Sequence, residues 1–328
     1  MKLDVMCKCR APPPHLSLDA NGHPTVWMNT RNGVSRIVWR RDTAKWLRAA
    51  AHSSHADSMQ ENDDVSLPAA FNIVSSLPDI SEVRPKLTPT EYEAWFIQVV
   101  QDLLSLLSPD QVAIFYQTPG RCSGEDGSWL DKQYLITAGA RAAGALCVWQ
   151  KIVLFQDSVG RMRGGVRAGW VTMLCFSKRV RVPGDHQTVD VLADRGHMAY
   201  AHAMGEDACA AAIEYCIDVS ERAAAEEDIE EEEEEEEEEG RPAVSSPPES
   251  CKASRRRRVA SSSIPILDPF CGYGSVLAVA NAYGLPALGL DVSLKCCKAA
   301  AEHEASADLR ERARRRRETS VGELRSAS

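Results

Sequence analysis

The sequence lacks several features that would place it in a membrane or a secretory pathway. No apolar run reaches the roughly 18 residues that a bilayer-spanning helix needs, and no apolar segment follows Met1 as a signal peptide would. The 11 cysteines are odd in number and scattered, which predicts free thiols in a reducing compartment. Cys7 and Cys9 form a C-x-C without a second ligand pair at zinc spacing, so we expect no metal site. These absences predict an intracellular protein, nuclear or cytoplasmic, that binds neither membrane nor metal.

The formal net charge of −9 comes from one segment of the chain. The stretch Glu226–Glu239 is acidic at every position except Ile229, and without it the remaining residues carry a net charge of +4. Like-charge blocks of this kind repel themselves and bury no apolar area, so we expect residues 223–262 to be a disordered insertion. Arg255–Arg258 within it could be a nuclear address, a phosphate-binding patch or simply part of a charged linker.

Strand and helix patterns alternate through the rest of the chain. Residues 1–34 are polar and predict a disordered or irregular start. The pattern from Ser293 onward predicts one long charged helix, of which residues 301–328 form a charged helical tail. Between them, residues 35–222 and 263–300 alternate short β-rich apolar runs with amphipathic helical patterns. One of these helices is predicted to begin at Thr88, where Pro89 and Glu91 complete a capping-box pattern. This alternation predicts an α/β, Rossmann-like domain with a mostly parallel sheet and helices on both faces. Ligands of such sheets bind outside the carboxyl ends of the strands.

The most informative segment runs from Ile264 to Asp291. A predicted strand ends at Asp268, the loop Pro269-Phe270-Cys271-Gly272-Tyr273-Gly274 turns into a helix, and a second strand ends at Asp291. Glycines allow a ligand to approach the backbone, and an acid at the end of the next strand can bind both hydroxyls of a ribose. The loop has neither the third glycine of the dinucleotide fingerprint nor a phosphate-binding lysine, so a nicotinamide-dependent oxidoreductase is not indicated.

The string D-P-F-x-G-x-G resembles the cofactor loop of the amino-methyltransferases that act on DNA and some RNA bases. The resemblance implies S-adenosylmethionine as the cofactor, with the loop against its methionine part, Asp291 on its ribose and Asp42 on its adenine. A glycine turn in another α/β protein is the alternative interpretation, and Asp42 could instead cap a helix. The implied loop residues are Asp268, Pro269, Phe270, Gly272, Gly274 and Ser275.

The order of the motifs resembles a circularly permuted branch of this family. Only 37 residues follow Asp291, so the remaining strands of the seven-stranded sheet that the family implies must come from the N-terminal side. In the permuted branch the catalytic loop precedes the cofactor loop. The resemblance covers roughly residues 35–300, without the 223–262 insertion.

The segment Ser76-Leu77-Pro78-Asp79 follows a predicted strand at the place of the family's catalytic tetrapeptide. That motif usually has Asp, Asn or Ser, then two prolines, then an aromatic residue that stacks on an extruded base. Its polar first residue and a backbone carbonyl orient the amine of the acceptor. Here Leu77 replaces the first proline and Asp79 replaces the aromatic residue, which puts base extrusion in doubt. Tyr116 and Trp95 are the candidates for stacking in its place, with a role as core residues as the alternative. A strand-to-helix turn capped by Ser and Asp is the alternative interpretation.

These patterns favour a methyltransferase that acts on an amino group of a nucleic-acid base, with DNA or RNA as the partner. The loop of residues 160–169 contains three arginines and could follow a phosphate backbone. A catalytically degenerate fold that serves as a binding or scaffold module is the alternative. The methyl acceptor and the oligomeric state are not determined by the sequence.

Overall fold

The computed structural model describes residues 25–31, 33–52, 67–121, 129–155, 168–179, 189–200, 203–239 and 264–327. Nine strands of this part form one sheet, and two further strands of two residues each form a small hairpin. The sheet strands are β1 (Val26–Arg31), β2 (Val34–Arg40), β3 (Asn72–Ser75), β4 (Val112–Gln117), β7 (Leu146–Leu154), β8 (Trp170–Ser177), β9 (Val191–Leu192), β10 (Ile266–Asp268) and β11 (Ala287–Asp291), and the hairpin strands are β5 (Gly120–Arg121) and β6 (Trp129–Leu130).

The sheet is mixed, with a parallel centre. Its order is β1-β2-β11-β10-β3-β4-β8-β7-β9, and the five strands from β2 to β4 run parallel. Strand β1 pairs antiparallel with β2, and β8 pairs antiparallel with both β4 and β7. The two late strands β10 and β11 therefore lie between the early strands β2 and β3, so both ends of the chain build one sheet.

The sheet has nine strands in the described residues, two more than the seven that were predicted. Strand β1 lies in the segment that was expected to be irregular, and it pairs with β2 through a turn at Gly33, whose φ is +80°. As an edge strand it exposes Met28 and lacks the continuous apolar pattern of the central strands. Strand β9 contributes only the pairs of Val191 and Leu192 to β7. Both additions lie at the edges of the sheet and leave its parallel centre unchanged.

Helices cover both faces of the sheet, as the alternating pattern predicted. The helices are α1 (Thr43–His52), α2 (Pro89–Ser105), α3 (Lys132–Ala142), α4 (Glu206–Glu239), α5 (Ser275–Ala282), α6 (Leu294–Glu302) and α7 (Ala307–Ala327). Helices α1 to α3 pack on one face of the sheet and α4 to α7 on the other. Each face has one hydrophobic cluster, which its helices share with the strands. Successive strand residues such as Ile114 and Phe115 point to opposite clusters.

Helix α2 begins where its capping signals predict. The Thr88 hydroxyl accepts a hydrogen bond from the Glu91 N–H at 3.3 Å, and the Glu91 carboxylate accepts one from the Thr88 N–H at 2.8 Å. Pro89 occupies the first helical position, where its missing N–H has no cost. Tyr92 and Phe96 are fully buried on the face that packs against the sheet. The cap and the apolar face thus fix the position of α2 after the predicted catalytic loop.

The C-terminal residues form two packed helices rather than one continuous charged helix. Residues 303–306 separate α6 from α7, and buried Glu206 binds this connection through the N–H and hydroxyl of Ser306. Arg36 donates to the carbonyls of Ala300 at 2.8 Å and His303 at 2.6 Å. Helix α7 then buries Leu309 and Ala313, so its first half belongs to the core. The sequence missed this break because the tertiary contacts of two distant side chains hold it.

The acidic run is helical in this structure. Helix α4 extends through Glu239, so residues 223–239 of the segment expected to be disordered continue a packed helix, and residues 240–262 lie outside the described residues. Glutamate is a strong helix former, and extending an existing helix avoids the cost of nucleation. Repulsion among the carboxylates is outweighed here by these two effects. In the described part of the chain no helix is both long and apolar enough to cross a membrane.

Candidate functional site

The residues predicted to form the site follow the carboxyl ends of neighbouring parallel strands. Asp42 follows β2, Asp291 ends β11, Asp268 ends β10 and Ser76 follows β3, and these strands are consecutive in the sheet. Parallel strands place their carboxyl ends at the same edge, where α/β proteins bind ligands. The structure therefore brings all the predicted segments to one edge, across sequence separations of up to 249 residues between Asp42 and Asp291.

The glycine loop between β10 and α5 has two glycines with positive φ and different surroundings. Gly274 (φ +84°) caps α5, and a Cβ there would lie 2.7 Å from the Cα of Ala300, so this glycine is required for packing against α6. Gly272 (φ +49°) has open space where a Cβ would point, with nothing within 4 Å. Gly274 thus serves the fold, and the backbone at Gly272 is accessible to a ligand.

Asp291 is joined to this loop and retains the capacity to bind a ligand. Its Oδ2 accepts a hydrogen bond from the Gly272 N–H at 3.1 Å, and its Oδ1 accepts one from the Ser293 N–H at 2.7 Å. Burial raises the pKa of Asp291, and the two backbone hydrogen bonds oppose this shift. A carboxylate has about four acceptor positions, so the two bonds leave room for two hydroxyl donors. Asp291 can therefore hold the glycine loop and a diol together.

Asp268 is buried beneath the loop. Its Oδ1 accepts hydrogen bonds from the Ser75 hydroxyl at 2.7 Å and from the Phe270 N–H at 3.2 Å. Burial raises the pKa of Asp268 to about 7 despite these two bonds, which lower it. The contacts tie the first turn of the loop to the end of β3. The carboxyl group of Asp268 therefore shapes the loop.

The residues after Asp268 anchor the loop to the helices on one face of the sheet. The Thr43 hydroxyl at the start of α1 donates to the Pro269 carbonyl. The half-buried Phe270 ring packs edge-on against Trp95 of α2, with 6.4 Å between ring centroids. Ser275 is half-buried at the first position of α5, and no side chain caps this helix. The start of the loop is thus fixed by contacts with α1 and α2, whereas its end leads into a helix that has no side-chain cap.

Asp42 shows the capping contact that was the alternative interpretation for it. Its Oδ1 accepts a hydrogen bond from the Lys45 N–H at 3.1 Å in the first turn of α1. The N–H of the preceding residue, Arg41, donates to the carbonyl of Asp291 at 2.9 Å, so the ends of β2 and β11 are joined. The cap engages one carboxylate oxygen of Asp42. Contact of Asp42 with an adenine stays a prediction.

The segment from Ser76 to Asp79 lies directly after β3 and exposes its two polar ends. Ser76 and Asp79 are exposed, and Leu77 is buried in the cluster beneath α2. The Leu77 carbonyl accepts a hydrogen bond from Gln117 Nε2 at 3.0 Å, and the Pro78 carbonyl accepts one from the Tyr92 hydroxyl at 2.7 Å. Side chains of β4 and α2 thus bind two successive carbonyls of the loop.

Asp79 forms an ion pair that the sequence did not predict. Lys132 Nζ donates to Asp79 Oδ1, and the lysine side chain is only 4% exposed whereas that of Asp79 is 61% exposed. The Asp79 N–H also donates to Glu82 Oε2 at 2.8 Å. One signal for Lys132 was present in the sequence. A lysine in the first turn of a helix opposes the helix dipole, so its presence there indicates another role.

The two aromatic residues that the sequence offered for stacking are packed within the fold. Tyr116 and Trp95 are aromatic residues near the predicted loops, but Tyr116 is buried on the opposite face and Trp95 packs against Tyr92 and Phe270. Most of the arginine-containing loop, residues 160–167, lies outside the described residues. Within the described ranges, no three His, Cys, Asp or Glu side chains converge as a metal site would require.

Comparison with known proteins gives structural similarities only. No protein-family model matches the sequence, and no curated protein matches it. A protein of Thermus thermophilus named as a putative DNA modification methylase, complexed with S-adenosyl-L-methionine, is 14% identical, with a TM-score of 0.47 over 80% of this chain and 89% of that one. The PvuII DNA methyltransferase (cytosine-N4-specific) is 11% identical, with a TM-score of 0.48 over 87% and 93%.

The M1.HpyAVI–SAM complex is 9% identical to this chain, with a TM-score of 0.45 over 81% of this chain and 97% of that one. Identities and TM-scores this low assign no activity to the chain. Its function has to be inferred from its own residues.

Proposed function

We propose that this protein is an S-adenosylmethionine-dependent methyltransferase whose acceptor is an amino group of a nucleic-acid base. The observation that carries the proposal is the hydrogen bond between Ser75 and Asp268, which joins the strand before the candidate catalytic loop to the strand before the glycine loop. A transfer reaction needs its cofactor and its acceptor side by side. The candidate catalytic loop precedes the glycine loop in the chain, which is the order that the resemblance to the permuted methyltransferases implies.

The residues of the glycine loop fit S-adenosylmethionine. The open space at Gly272 admits a ligand against the backbone, and Asp291 has acceptor positions left for the two ribose hydroxyls. Asp42 lies beyond Asp291 along the same edge, where the adenine would be expected. When bound, the cofactor supplies a methyl group on a sulfonium centre. The protein holds it through Gly272, Ser275 and Asp291, and Asp268, Pro269 and Phe270 shape the loop.

The loop from Ser76 to Asp79 would orient the acceptor. The exposed Ser76 hydroxyl and the Leu77 carbonyl can each accept one N–H bond of an exocyclic amine, which directs the nitrogen lone pair at the methyl group. The Leu77 carbonyl already accepts from Gln117, but a carbonyl oxygen has two lone pairs. Asp79 is paired with the Lys132 ammonium, and its carboxylate keeps further acceptor positions for a donor of the ligand.

One observation favours a binding or scaffold module as the second candidate. The carbonyls of both Leu77 and Pro78 are engaged by side chains of the protein itself, as in a purely structural turn. In that case the cofactor loop could be retained while methyl transfer is lost.

Two measurements separate these functions. Calorimetry with S-adenosylmethionine should show binding by the wild type and loss of binding in Gly272→Val, because the valine side chain fills the space at the loop. Labelled cofactor should then be offered with fractionated DNA, RNA and protein, and label is expected in the nucleic acid. Absence of binding by the wild type would end the methyltransferase proposal, and binding without transfer to any fraction would establish the scaffold.

A further inference from the structure

A pocket of about 180 Å³ lies beside the candidate catalytic loop, where β4 ends and β8 begins next to α3. Two tryptophans belong to its lining, Trp129 of β6 and Trp170 at the start of β8. Trp129 is 45% exposed and Trp170 is 37% exposed. Large aromatic side chains left this open beside a site indicate a surface that a ligand covers.

The pocket also has buried polar side chains. Gln117, Lys132 and Thr172 line it, and all three residues are buried. Gln117 Nε2 donates to Leu77, but its carboxamide also has an acceptor oxygen, and the Lys132 ammonium has three donors, of which Asp79 takes one. Polar groups that are buried at a pocket bind the edge of a ligand and fix its orientation.

Gln117 and Lys132 connect the pocket to the reaction site. Gln117 binds the Leu77 carbonyl and Lys132 binds the Asp79 carboxylate, so both residues contact the catalytic loop and line the pocket. A ligand in the pocket would therefore contact the two side chains that bind the loop, and would lie one side chain away from the loop itself. The volume is below the roughly 300–1,000 Å³ of sites for drug-sized ligands, which restricts the occupant to a small group such as one planar ring system.

We infer that this pocket binds the acceptor base itself, with Trp129 and Trp170 providing the stacking surface that the catalytic loop lacks at Asp79. The inference rests on the proposed function and names its substrate class as an unstacked base of a single-stranded or locally opened nucleic acid. Stacking on aromatic side chains tolerates every base, and the buried polar groups then read the base edge.

The test compares two labelled strands by fluorescence anisotropy. One is a single strand of about 12 nucleotides, within the usual site sizes, and the other is an abasic strand of the same length. The wild type should bind the base-containing strand more tightly. Trp129→Ala and Trp170→Ala should each weaken its binding roughly 5- to 150-fold, the range for loss of one stacked base, and should leave abasic binding unchanged. Tyr134→Ala is the matched control, since Tyr134 is 65% exposed on the same helix as Lys132 but is not among the pocket residues.

Binding that does not distinguish the two strands, or that both tryptophan variants retain, would overturn the inference. If the tryptophan variants instead lose affinity for a lysine-rich peptide and keep their affinity for the strand, the pocket binds a protein acceptor, and the inference is overturned too. Titration of the same proteins with S-adenosylmethionine keeps the two proposals apart. If the tryptophans contribute to strand binding but the protein binds no cofactor, the base-binding pocket is supported and the methyltransferase proposal is wrong. If the protein binds the cofactor but the tryptophan variants bind the strand normally, only the pocket inference is wrong.

Discussion

Ser75 Oγ donates a hydrogen bond to Asp268 Oδ1 over 2.7 Å, although the two residues are 193 positions apart. Ser75 ends β3, Asp268 ends β10, and both side chains are buried. The residues that follow them, Ser76 on one strand and the glycine loop on the other, therefore start from one rigid point. The proposed function can therefore be tested by substitutions in the glycine loop and, separately, in the candidate catalytic loop.

The two glycines of the cofactor loop should respond differently to substitution by alanine. Gly272→Ala should weaken S-adenosylmethionine binding about tenfold or more and cost only about 1–2 kcal/mol of stability, because its Cβ meets open space and only the positive φ is strained. Gly274→Ala should cost about 2–5 kcal/mol, because its Cβ also collides with the backbone of Ala300. Calorimetry and urea unfolding measure the two effects. Equal losses of stability in both variants would contradict the distinct roles.

Asp79→Ala should leave cofactor affinity nearly unchanged and lower turnover by about two orders of magnitude or more, the scale of a positioned acid–base or orienting group. Asp79→Asn is the informative companion, since it keeps an acceptor oxygen and loses the charge. Most of the activity should survive in Asp79→Asn if the residue accepts a hydrogen bond. Turnover is measured with labelled cofactor, and full activity of Asp79→Ala would remove this residue from the mechanism.

Lys132 requires its own control, because Asp79→Ala leaves a buried ammonium without its carboxylate partner. The double variant Asp79→Ala/Lys132→Met removes both charges and should recover any stability lost in the single variant. Its turnover should stay low. Recovery of turnover together with stability would show that the single variant was impaired only through its folding.

The stability of the protein should depend on the protonation of Asp268. The pKa of Asp268 is about 7 in the folded state, above the ordinary value of 3.8, chiefly because of burial. The folded state then binds the proton more tightly, so the stabilising contribution is complete below about pH 4 and is lost as the pH rises through about 7. Its full size is at most about 4 kcal/mol.

Asp268→Asn isolates this contribution from that of Asp291, whose pKa is raised as well. The asparagine keeps an acceptor oxygen for the Ser75 hydroxyl and does not titrate. Urea unfolding between about pH 4.5 and 8 should therefore show a smaller decline of stability with pH in the variant. The same slope in both proteins would show that Asp268 does not titrate in this range.

Removal of Glu226–Glu239 should change the melting temperature by less than about 2 °C. Among the side chains that the structure describes in α4, those of Cys216 and Val219 are buried in the core, and Asp218 pairs with Arg316 at 2.5 Å, all of them before the acidic run. A glycine-serine segment of equal length serves as the control for chain connectivity. A large drop in melting temperature for both variants would show that the acidic half of α4 packs against the protein.

Predictions from the sequence succeeded where the pattern was local. The capping box of α2, the paired glycines after β10 and the acid at the end of β11 each depend on residues close together in the chain. The edge strand β1 was missed because it lacks a continuous apolar pattern, and the break between α6 and α7 was missed because Arg36 and Glu206 hold it from far away. The ion pair of Asp79 with Lys132 was missed for the same reason as this break.

The α/β alternation, the glycine loop and the position of each acid after its strand could all be predicted from the sequence, since backbone conformation and apolar periodicity are set by neighbouring residues. Tertiary structure alone decided that β10 and β11 enter the sheet between β2 and β3, and that Lys132, Gln117, Trp129 and Trp170 gather beside the catalytic loop. Parallel strands take their neighbours from distant parts of the chain, so the side chains that meet at their ends share no local pattern.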